Sequence, residues 1–114
     1  MFFKRLEFDS DIQVFGNYIL DLIKYHQKYA NKLGLFDKVV DLYTYENAIR
    51  HIGEERYHQY LIVHKGIEVG AIEYKHCRSE IDGESIIYIG KLYISEEYRG
   101  KGIAKEVKTR YMFD

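Results

Sequence analysis

The residues best suited to chemistry lie in a short basic turn near the end of the chain. Residues 93–107 read YISEEYRGKGIAKEV, and the spacing predicts that a strand ends before RGKG and a helix begins near Lys101. Backbone N–H groups at a helix N-terminus lack intrahelical partners, and the helix dipole is positive there. Gly100 and Gly102 carry no Cβ, so a phosphate oxygen can approach their amides, while Arg99 and Lys101 add positive charge. The segment therefore predicts a binding site for a phosphate-like anion.

The same residues are also compatible with an ordinary strand-to-helix turn, in which the glycines supply backbone angles and the basic side chains are solvated. Two better-known phosphate-binding loops do not fit this sequence. The pattern G-x-x-x-x-G-K-[ST] is absent, and GKGIAK lacks the third glycine of the dinucleotide-binding fingerprint. The spacing therefore disfavours a nucleoside triphosphate or NAD as the anion.

The elements that must position this turn follow from the periodicity of the apolar residues. The first eight residues are compatible with a short strand, and a long amphipathic helix and a second, shorter helix follow at helical spacing. The first helix is predicted to be capped by Asp9 or Ser10 and to stop at Gly34. The second is predicted to be capped by Asp41 or Thr44 and to stop at Gly53.

Three strands then follow, with the sequences YHQYLIVH, IEVGAIEYKH and SIIYIGKLYI. Lys65 and Gly66 separate the first of these strands from the second. Asp82 and Gly83, between the second and the third, predict a two-residue hairpin turn, because both central positions of such a turn need positive φ. The third segment is apolar at nearly every position, which predicts a central strand covered on both faces. A last helix is predicted from Gly102 onwards.

The composition agrees with one folded domain over residues 1–114. Lys and Arg total 17 against 18 Asp and Glu, so no global field attracts nucleic acid or an anionic membrane, and any anion site must be local. No segment is apolar enough to span a bilayer, and the charges in MFFKRLEFDSD disfavour a signal peptide. The single cysteine, Cys77, favours the cytoplasm. The order β, α, α, β, β, β, α predicts an α+β (mixed α/β) fold with an antiparallel meander sheet under helices.

The basic turn also matches the signature of a known family. Six consecutive residues fit the [RQ]-x-x-G-x-[GA] signature of the GNAT superfamily of N-acetyltransferases: Arg99, Gly100, Lys101, Gly102, Ile103 and Ala104. The preceding KLYI resembles the family's Leu-x-Val strand ending, and the order of elements is similar, with a turn at Gly66 and a glycine, Gly70, in the second strand of the meander. The resemblance covers nearly the whole chain.

This resemblance implies acetyl-coenzyme A (acetyl-CoA) as the co-substrate and a primary amine as the acceptor. The diphosphate of the coenzyme would lie on the amides of residues 100–104, and its pantetheine arm along Leu92, Tyr93 and Ile94. The N–H of Ile94 would polarise the thioester carbonyl, and the amine would attack it directly. Such a reaction needs a fixed hydrogen-bond donor where negative charge develops and a base that removes a proton from the ammonium.

The sequence offers one candidate for that base. If both hairpins have two-residue turns, Glu73 lies between His58 and Leu92 across the sheet, so Glu73 can accept the proton, directly or through water, with His58 orienting it. The alternative is a plain cross-strand charge pair on a solvated face. Family members often carry a base carboxylate about where Tyr88 stands here, and Tyr88 is not a carboxylate. No His or Cys pair has a zinc-type spacing, so no metal is expected.

Members of this family continue after the corresponding helix with another strand, another helix and further strands, the C-terminal half that these 114 residues do not contain. That later helix often supplies a tyrosine that protonates the departing thiolate. We therefore expect residues 85–94 to present an unpaired apolar edge that associates with another chain. A homodimer that closes the sheet, a second polypeptide and a partly functional fragment are all compatible. Two functions remain open: an N-acetyltransferase completed in trans or reduced, and a non-catalytic GNAT-like domain that binds CoA or a protein partner through this edge.

Overall fold

A computed structural model describes the protein over residues 1–32 and 45–112. Its elements are β1 (Phe2–Arg5), α1 (Asp9–Lys32), α2 (Tyr45–Ala48), β2 (Tyr57–His64), β3 (Ile67–Arg78), β4 (Ser85–Ile94), a 3-10 turn (Glu96–Tyr98) and α3 (Ile103–Met112). This order confirms the predicted α+β (mixed α/β) class. Two predicted helix boundaries, the end of the first helix at Gly34 and the start of the second at Asp41 or Thr44, lie outside the described residues. Within the described ranges, no helix combines the length and the apolar character needed to cross a membrane.

The sheet contains four antiparallel strands in the order β1-β2-β3-β4. Its strands are rich in Ile, Val and Tyr, which suit a pleated, half-buried surface, and the side chains alternate between two faces. Helices α1 and α2 cover one face, where the buried cluster is Phe15, Ile19, Ala48, Leu61 and Ala71. Helix α3 covers the other face, where the buried cluster is Ile62, Val69, Ile72, Tyr74, Ile94, Ile103 and Val107.

Helix α1 begins on a buried carboxylate. The Asp11 carboxylate accepts hydrogen bonds from the backbone N–H groups of Glu7 and Phe8 at 3.1 Å each and lies 3.3 Å from the Lys4 ammonium. The bond from Phe8 is one half of a capping box, because it satisfies an amide that the helix itself cannot. These hydrogen bonds, that from Glu7 foremost, lower the pKa of Asp11 from its ordinary value of 3.8.

The replacement Asp11→Asn is expected to destabilise the fold and to make its free energy of unfolding depend less on pH in the acid range. Because the folded state lowers the pKa of Asp11, its ionised form contributes stability above the ordinary value of 3.8, and that stability is lost as the pH falls through the folded pKa. Urea unfolding from neutral pH down to pH ~2 would measure this slope. Asp9→Asn is the control, because it removes an exposed charge from the same helical turn. Equal slopes in the wild type and in Asp11→Asn would contradict the assignment.

The two hairpin turns differ from each other. Lys65 and Gly66 both have positive φ, +53° and +79°, which confirms the predicted two-residue turn between β2 and β3. The predicted two-residue turn at Asp82 and Gly83 is wrong, because β3 ends at Arg78 and β4 begins at Ser85. Side chains within this longer connection bind its own backbone: Ser79 Oγ accepts from the N–H of Ile81, and Asp82 Oδ1 accepts from the N–H of Glu84. Such local bonds give the chain an alternative to a tight turn.

Two irregularities then shift the register of the sheet. The pairing of β2 with β3 slips between Ile62 and Val63, and that of β3 with β4 slips between Glu73 and Tyr74. As a result Glu73 lies opposite Gln59 and Lys91, and the predicted pairing of Glu73 with His58 and Leu92 is wrong. A slip of one residue moves a side chain to the other face of the sheet.

Strand β4 is the last strand of the sheet in the part of the chain that the structure describes. The prediction that it is central is therefore wrong there, and its first half is open to solvent, with Ile86 46% and Tyr88 56% exposed. Its second half is better covered, and Ile94 is buried against α3. The expected unpaired edge is present within the described sheet.

Gly70 allows β3 and β4 to approach each other at the end where the basic turn begins. A Cβ added at Gly70 would collide with the backbone carbonyl oxygen of Tyr93, which cannot move without displacing β4. We expect Gly70→Ala to lower the free energy of unfolding by about 1–3 kcal/mol, as overpacking does. Gly90→Ala is the matched control in the same pair of strands, since the nearest atom to its added Cβ is 3.8 Å away. Denaturant unfolding of both variants checks this difference, and an equal decrease in the free energy of unfolding of the two variants would contradict it.

Candidate functional site

The basic turn starts where β4 ends and finishes where α3 begins. Gly100 and Gly102 have φ of +78° and +79°, a region that side-chain-bearing residues rarely adopt, so the path of the turn depends on both glycines. The carbonyl of Gly102 accepts a hydrogen bond from the N–H of Glu106 at 3.0 Å, which makes Gly102 the cap of α3. The next three amides, beginning with Ile103, consequently have no partner inside the helix.

Open space lies beside these amides. Apart from the glycine itself and its two neighbours in the chain, no heavy atom of the described residues comes within 4 Å of a Cβ built at Gly100 or Gly102. A cavity of about 220 Å³ adjoins the turn, lined by Ile94, Tyr98, Arg99, Gly100, Gly102, Ile103, Ala104 and Lys105. Lys101 and Lys105 are exposed at its border. The combination of free amides, lysines and missing Cβ atoms fits a phosphate group.

Arg99 differs from the other basic residues of the turn. Its Nε donates a hydrogen bond to the carbonyl oxygen of Ile94 at 2.7 Å, and its guanidinium carbon lies 5.1 Å from the ring centroids of both Tyr25 and Tyr93. Burial raises the pKa of Tyr93, which keeps its hydroxyl neutral. Arg99 thus ties the end of β4 to α1, a contact that the sequence did not predict because Tyr25 lies far away along the chain.

The end of β4 offers backbone groups to its open edge. The N–H of Ser95 donates to the carbonyl of Val69 at 2.7 Å and therefore points toward β3. Successive N–H groups of an extended strand point to opposite edges, so the N–H groups of Ile94 and Leu92 point to the unpaired edge. A cavity of about 400 Å³ lies along this edge, lined by Ile89, Leu92, Ile94, Arg99, Ala104 and Lys108. An extended ligand can pair with β4 here as a strand would.

Glu73 is a buried carboxylate on the face covered by α1 and α2. It is 2% exposed, and its two oxygens are held at 3.0 Å by Gln59 Nε2 and at 3.2 Å by Lys91 Nζ. Two donors therefore fix the position of this carboxylate. The sequence analysis missed both partners, although Lys91 is the single charged residue of SIIYIGKLYI and an isolated charge in an apolar strand is a usable signal.

His58 does not take part in this cluster. Its ring stacks on Tyr74 with the centroids 5.1 Å apart and meets His76 edge-on at 5.0 Å, on the face covered by α3. The prediction that His58 orients Glu73 is therefore wrong, because the register shifts place the two side chains on opposite faces.

A third cavity, of about 120 Å³, lies beside Glu73 and Lys91. Its other lining residues include the aromatic Tyr57 and Tyr88, together with Lys75 between them. Tyr57 is held by stacking on His51, with ring centroids 3.9 Å apart. Nowhere in residues 1–32 or 45–112 do three or more His, Cys, Asp or Glu side chains come together as a metal site would require.

Comparisons with known proteins agree with this arrangement. The family model described as the acetyltransferase (GNAT) family matches residues 21–112. An acetyltransferase from Vibrio fischeri has a similar structure, with a TM-score of 0.62, 18% identity, and coverage of 96% of this chain and 82% of that chain. An aminoglycoside acetyltransferase from an uncultured soil metagenomic sample aligns with a TM-score of 0.50 and 15% identity, over 91% of this chain and 70% of that chain. At these identities the two structures share the fold. No curated protein matches the sequence significantly.

Proposed function

Because the chain belongs to the GNAT family of acetyltransferases, we propose that it transfers the acetyl group of acetyl-CoA to a primary amine. The observation that supports this best is the position of the amide-lined turn at residues 100–104, directly after the strand with open edge amides. A ligand with a diphosphate at one end and an extended amide-containing arm suits both features together. Coenzyme A has that construction, and its thioester supplies the activated acetyl group. The single cysteine suits the reducing cytoplasm, where we place the protein.

The binding roles follow from the contacts of each residue. The amides of Gly100 and Gly102 and those that open α3 would hold the diphosphate, with Lys101 and Lys105 neutralising its charge. The outward N–H groups of Leu92 and Ile94 would pair with the pantetheine arm, beside Tyr93. Arg99 positions the end of β4 through the carbonyl of Ile94 and adds positive charge beside the turn.

The chemical roles fall to β3 and β4. The outward N–H of Ile94 is a fixed donor that can stabilise negative charge on the thioester oxygen as the amine attacks. Glu73 would accept the proton that the ammonium must lose, directly or through water in the adjoining cavity. Gln59 and Lys91 orient this carboxylate. His58, on the opposite face, has no role in this proposal.

The test measures the binding of CoA first and catalytic turnover second. Titration calorimetry with CoA and with acetyl-CoA should give heat, and each ligand should raise the melting temperature, because it binds the native state. Release of the CoA thiol is then followed with a panel of primary amines that includes polyamines, lysine peptides and, given one structural neighbour, aminoglycosides. Amine-dependent release supports the enzyme. Binding without release from any amine supports the non-catalytic CoA-binding alternative, and no binding refutes both.

We also propose that the first half of the open edge of β4, residues 85–90, which the proposed pantetheine path along residues 92–94 leaves free, pairs with the same segment of a second copy. Antiparallel pairing of two identical edges closes under two-fold symmetry. The one charged side chain of β4, Lys91, is neutralised by Glu73 of its own chain, so two copies would not repel each other. Ile87 and Ile89 are half-buried on this strand and would gain cover from the pairing.

Ile89→Lys is expected to convert this dimer into a monomer, because it places a like charge on both copies within the paired segment. Sedimentation velocity of the wild type and the variant measures the change. Ile67→Lys is the control, because Ile67 is 50% exposed at the far end of β3. A wild type that sediments as a monomer at all concentrations would refute the proposed pairing.

A further inference from the structure

Tyr25 is an exposed aromatic residue of α1 that lies beside the basic turn. Its side chain is 52% exposed, although it is large and partly apolar. The guanidinium carbon of Arg99 lies over the ring of Tyr25, 5.1 Å from the ring centroid, and at the same distance from the ring centroid of Tyr93. Two aromatic rings from two different elements, α1 and β4, therefore hold Arg99.

Aromatic rings hold an arginine without cancelling its charge. No carboxylate lies within 4.0 Å of the Arg99 guanidinium among residues 1–32 and 45–112. A ring attracts the cation through its face, whereas an Asp or Glu partner would neutralise it. The Nε of Arg99 donates to the carbonyl of Ile94 at 2.7 Å, and the terminal amino groups carry further N–H donors that suit an anion.

Arg99 also lies where the two parts of the proposed coenzyme site meet. It lines the cavity of about 220 Å³ beside the turn, where the diphosphate would bind. It lines the cavity of about 400 Å³ along the edge of β4 as well, where the pantetheine arm would bind. In CoA the diphosphate is joined directly to that arm. A positive charge at the junction of the two cavities is therefore placed to attract the diphosphate.

We infer that Tyr25 is a positioning residue for the coenzyme, because its ring keeps Arg99 charged, unpaired and in place beside the diphosphate. This inference rests on the proposed function. A competing carboxylate is close by, since burial raises the pKa of Tyr93 and the negative charge of Asp21 adds to this effect. Without the ring of Tyr25, Arg99 could turn to Asp21 and form an ion pair that neutralises it. Helix α1 thus contributes to the affinity for a ligand that binds at the other end of the chain.

The experiment measures the Kd for CoA by titration calorimetry in variants of the full chain whose fold is checked by circular dichroism. Tyr25→Leu should raise the Kd about two- to fivefold, the effect of losing one exposed contact between a cation and a ring. Tyr25→Phe keeps the ring and should bind CoA as the wild type does. Tyr29→Leu is the matched control, because Tyr29 lies one turn later in α1, is 58% exposed, and has no cation over its ring in the described part of the chain.

A double-mutant cycle shows whether Tyr25 acts through Arg99. Arg99→Gln removes the charge and should raise the Kd for CoA about tenfold or more. In the Arg99→Gln protein, Tyr25→Leu should cause no further loss, because the ring has no cation left to hold. Dephospho-CoA keeps the diphosphate and lacks the phosphate on the ribose. Its Kd should rise by the same factor as that of CoA in Tyr25→Leu, since the diphosphate is the group that Arg99 meets.

The outcomes separate this inference from the function on which it rests. If CoA gives no heat with the wild type, the proposed function fails and this inference with it. If CoA binds the wild type, and Tyr25→Leu binds it as tightly as Tyr29→Leu does, the inference alone is overturned. An equal loss in Tyr25→Phe, or a further loss from Tyr25→Leu in the Arg99→Gln protein, would also overturn it. A loss for CoA that is absent for dephospho-CoA would contradict the position of Arg99 beside the diphosphate.

Discussion

Gly102→Glu is expected to abolish the binding of CoA, with no heat on titration and no rise in melting temperature. A glutamate at this position projects a carboxylate into the space beside the amides that open α3, where no described atom beyond the two neighbouring residues lies within 4 Å of the added Cβ. It would meet the diphosphate with like charge and occupy its volume, and it would itself satisfy the free amides. Charge-assisted hydrogen bonds are the strongest hydrogen bonds in proteins, so their loss should raise the Kd for CoA by more than about a hundredfold.

The matched control for this variant is Gly83→Glu. Gly83 has a φ of +71° against +79° for Gly102, and an added Cβ there also meets no described atom within 4 Å. Both variants therefore carry similar backbone strain and the same change in charge, while Gly83 lies in the connection between β3 and β4. Circular dichroism should remain that of the wild type in both. If Gly102→Glu binds CoA as well as Gly83→Glu does, the phosphate site has been placed wrongly.

The local parts of the fold were predictable because each depends on a few neighbouring residues. The helical spacing that begins near Asp9 and the pair Lys65-Gly66 specify an element and a turn directly, and both are found. The glycines of the basic turn are equally local, since positive φ at Gly100 and Gly102 is a property of those residues themselves. For that reason the sequence alone locates the candidate phosphate site.

The register of the sheet was not predictable in the same way. It depends on a longer connection after Arg78 and on two slips, which arise from packing across strands and leave no short-range signal. These errors moved His58 to the wrong face and concealed Gln59 and Lys91. The sequence analysis selected Glu73 from a register that is wrong, and its partners Gln59 and Lys91 required the three-dimensional pairing.

Glu73→Gln is expected to lower the rate of acetyl transfer about 10²–10⁴-fold, the usual contribution of a positioned base, while CoA binding persists. The same change has a structural cost, since it leaves the Lys91 ammonium without its partner in a buried setting. Breaking such a pair on one side costs about 3–5 kcal/mol, which alone can reduce activity by unfolding the protein. The single variant therefore cannot separate chemistry from stability.

The double variant Glu73→Gln with Lys91→Met makes that separation. Removing both charges of a buried pair is often neutral or stabilising, so the double variant should regain the melting temperature that the single variant loses. Its transfer rate should stay low, because no carboxylate remains beside the cavity to accept the proton. Raising the pH toward the pKa of the acceptor amine should reduce the difference in transfer rate between the double variant and the wild type, since an amine that is already neutral needs no base. A double variant that is stable and as fast as the wild type would show that Glu73 stabilises the sheet and takes no part in the reaction.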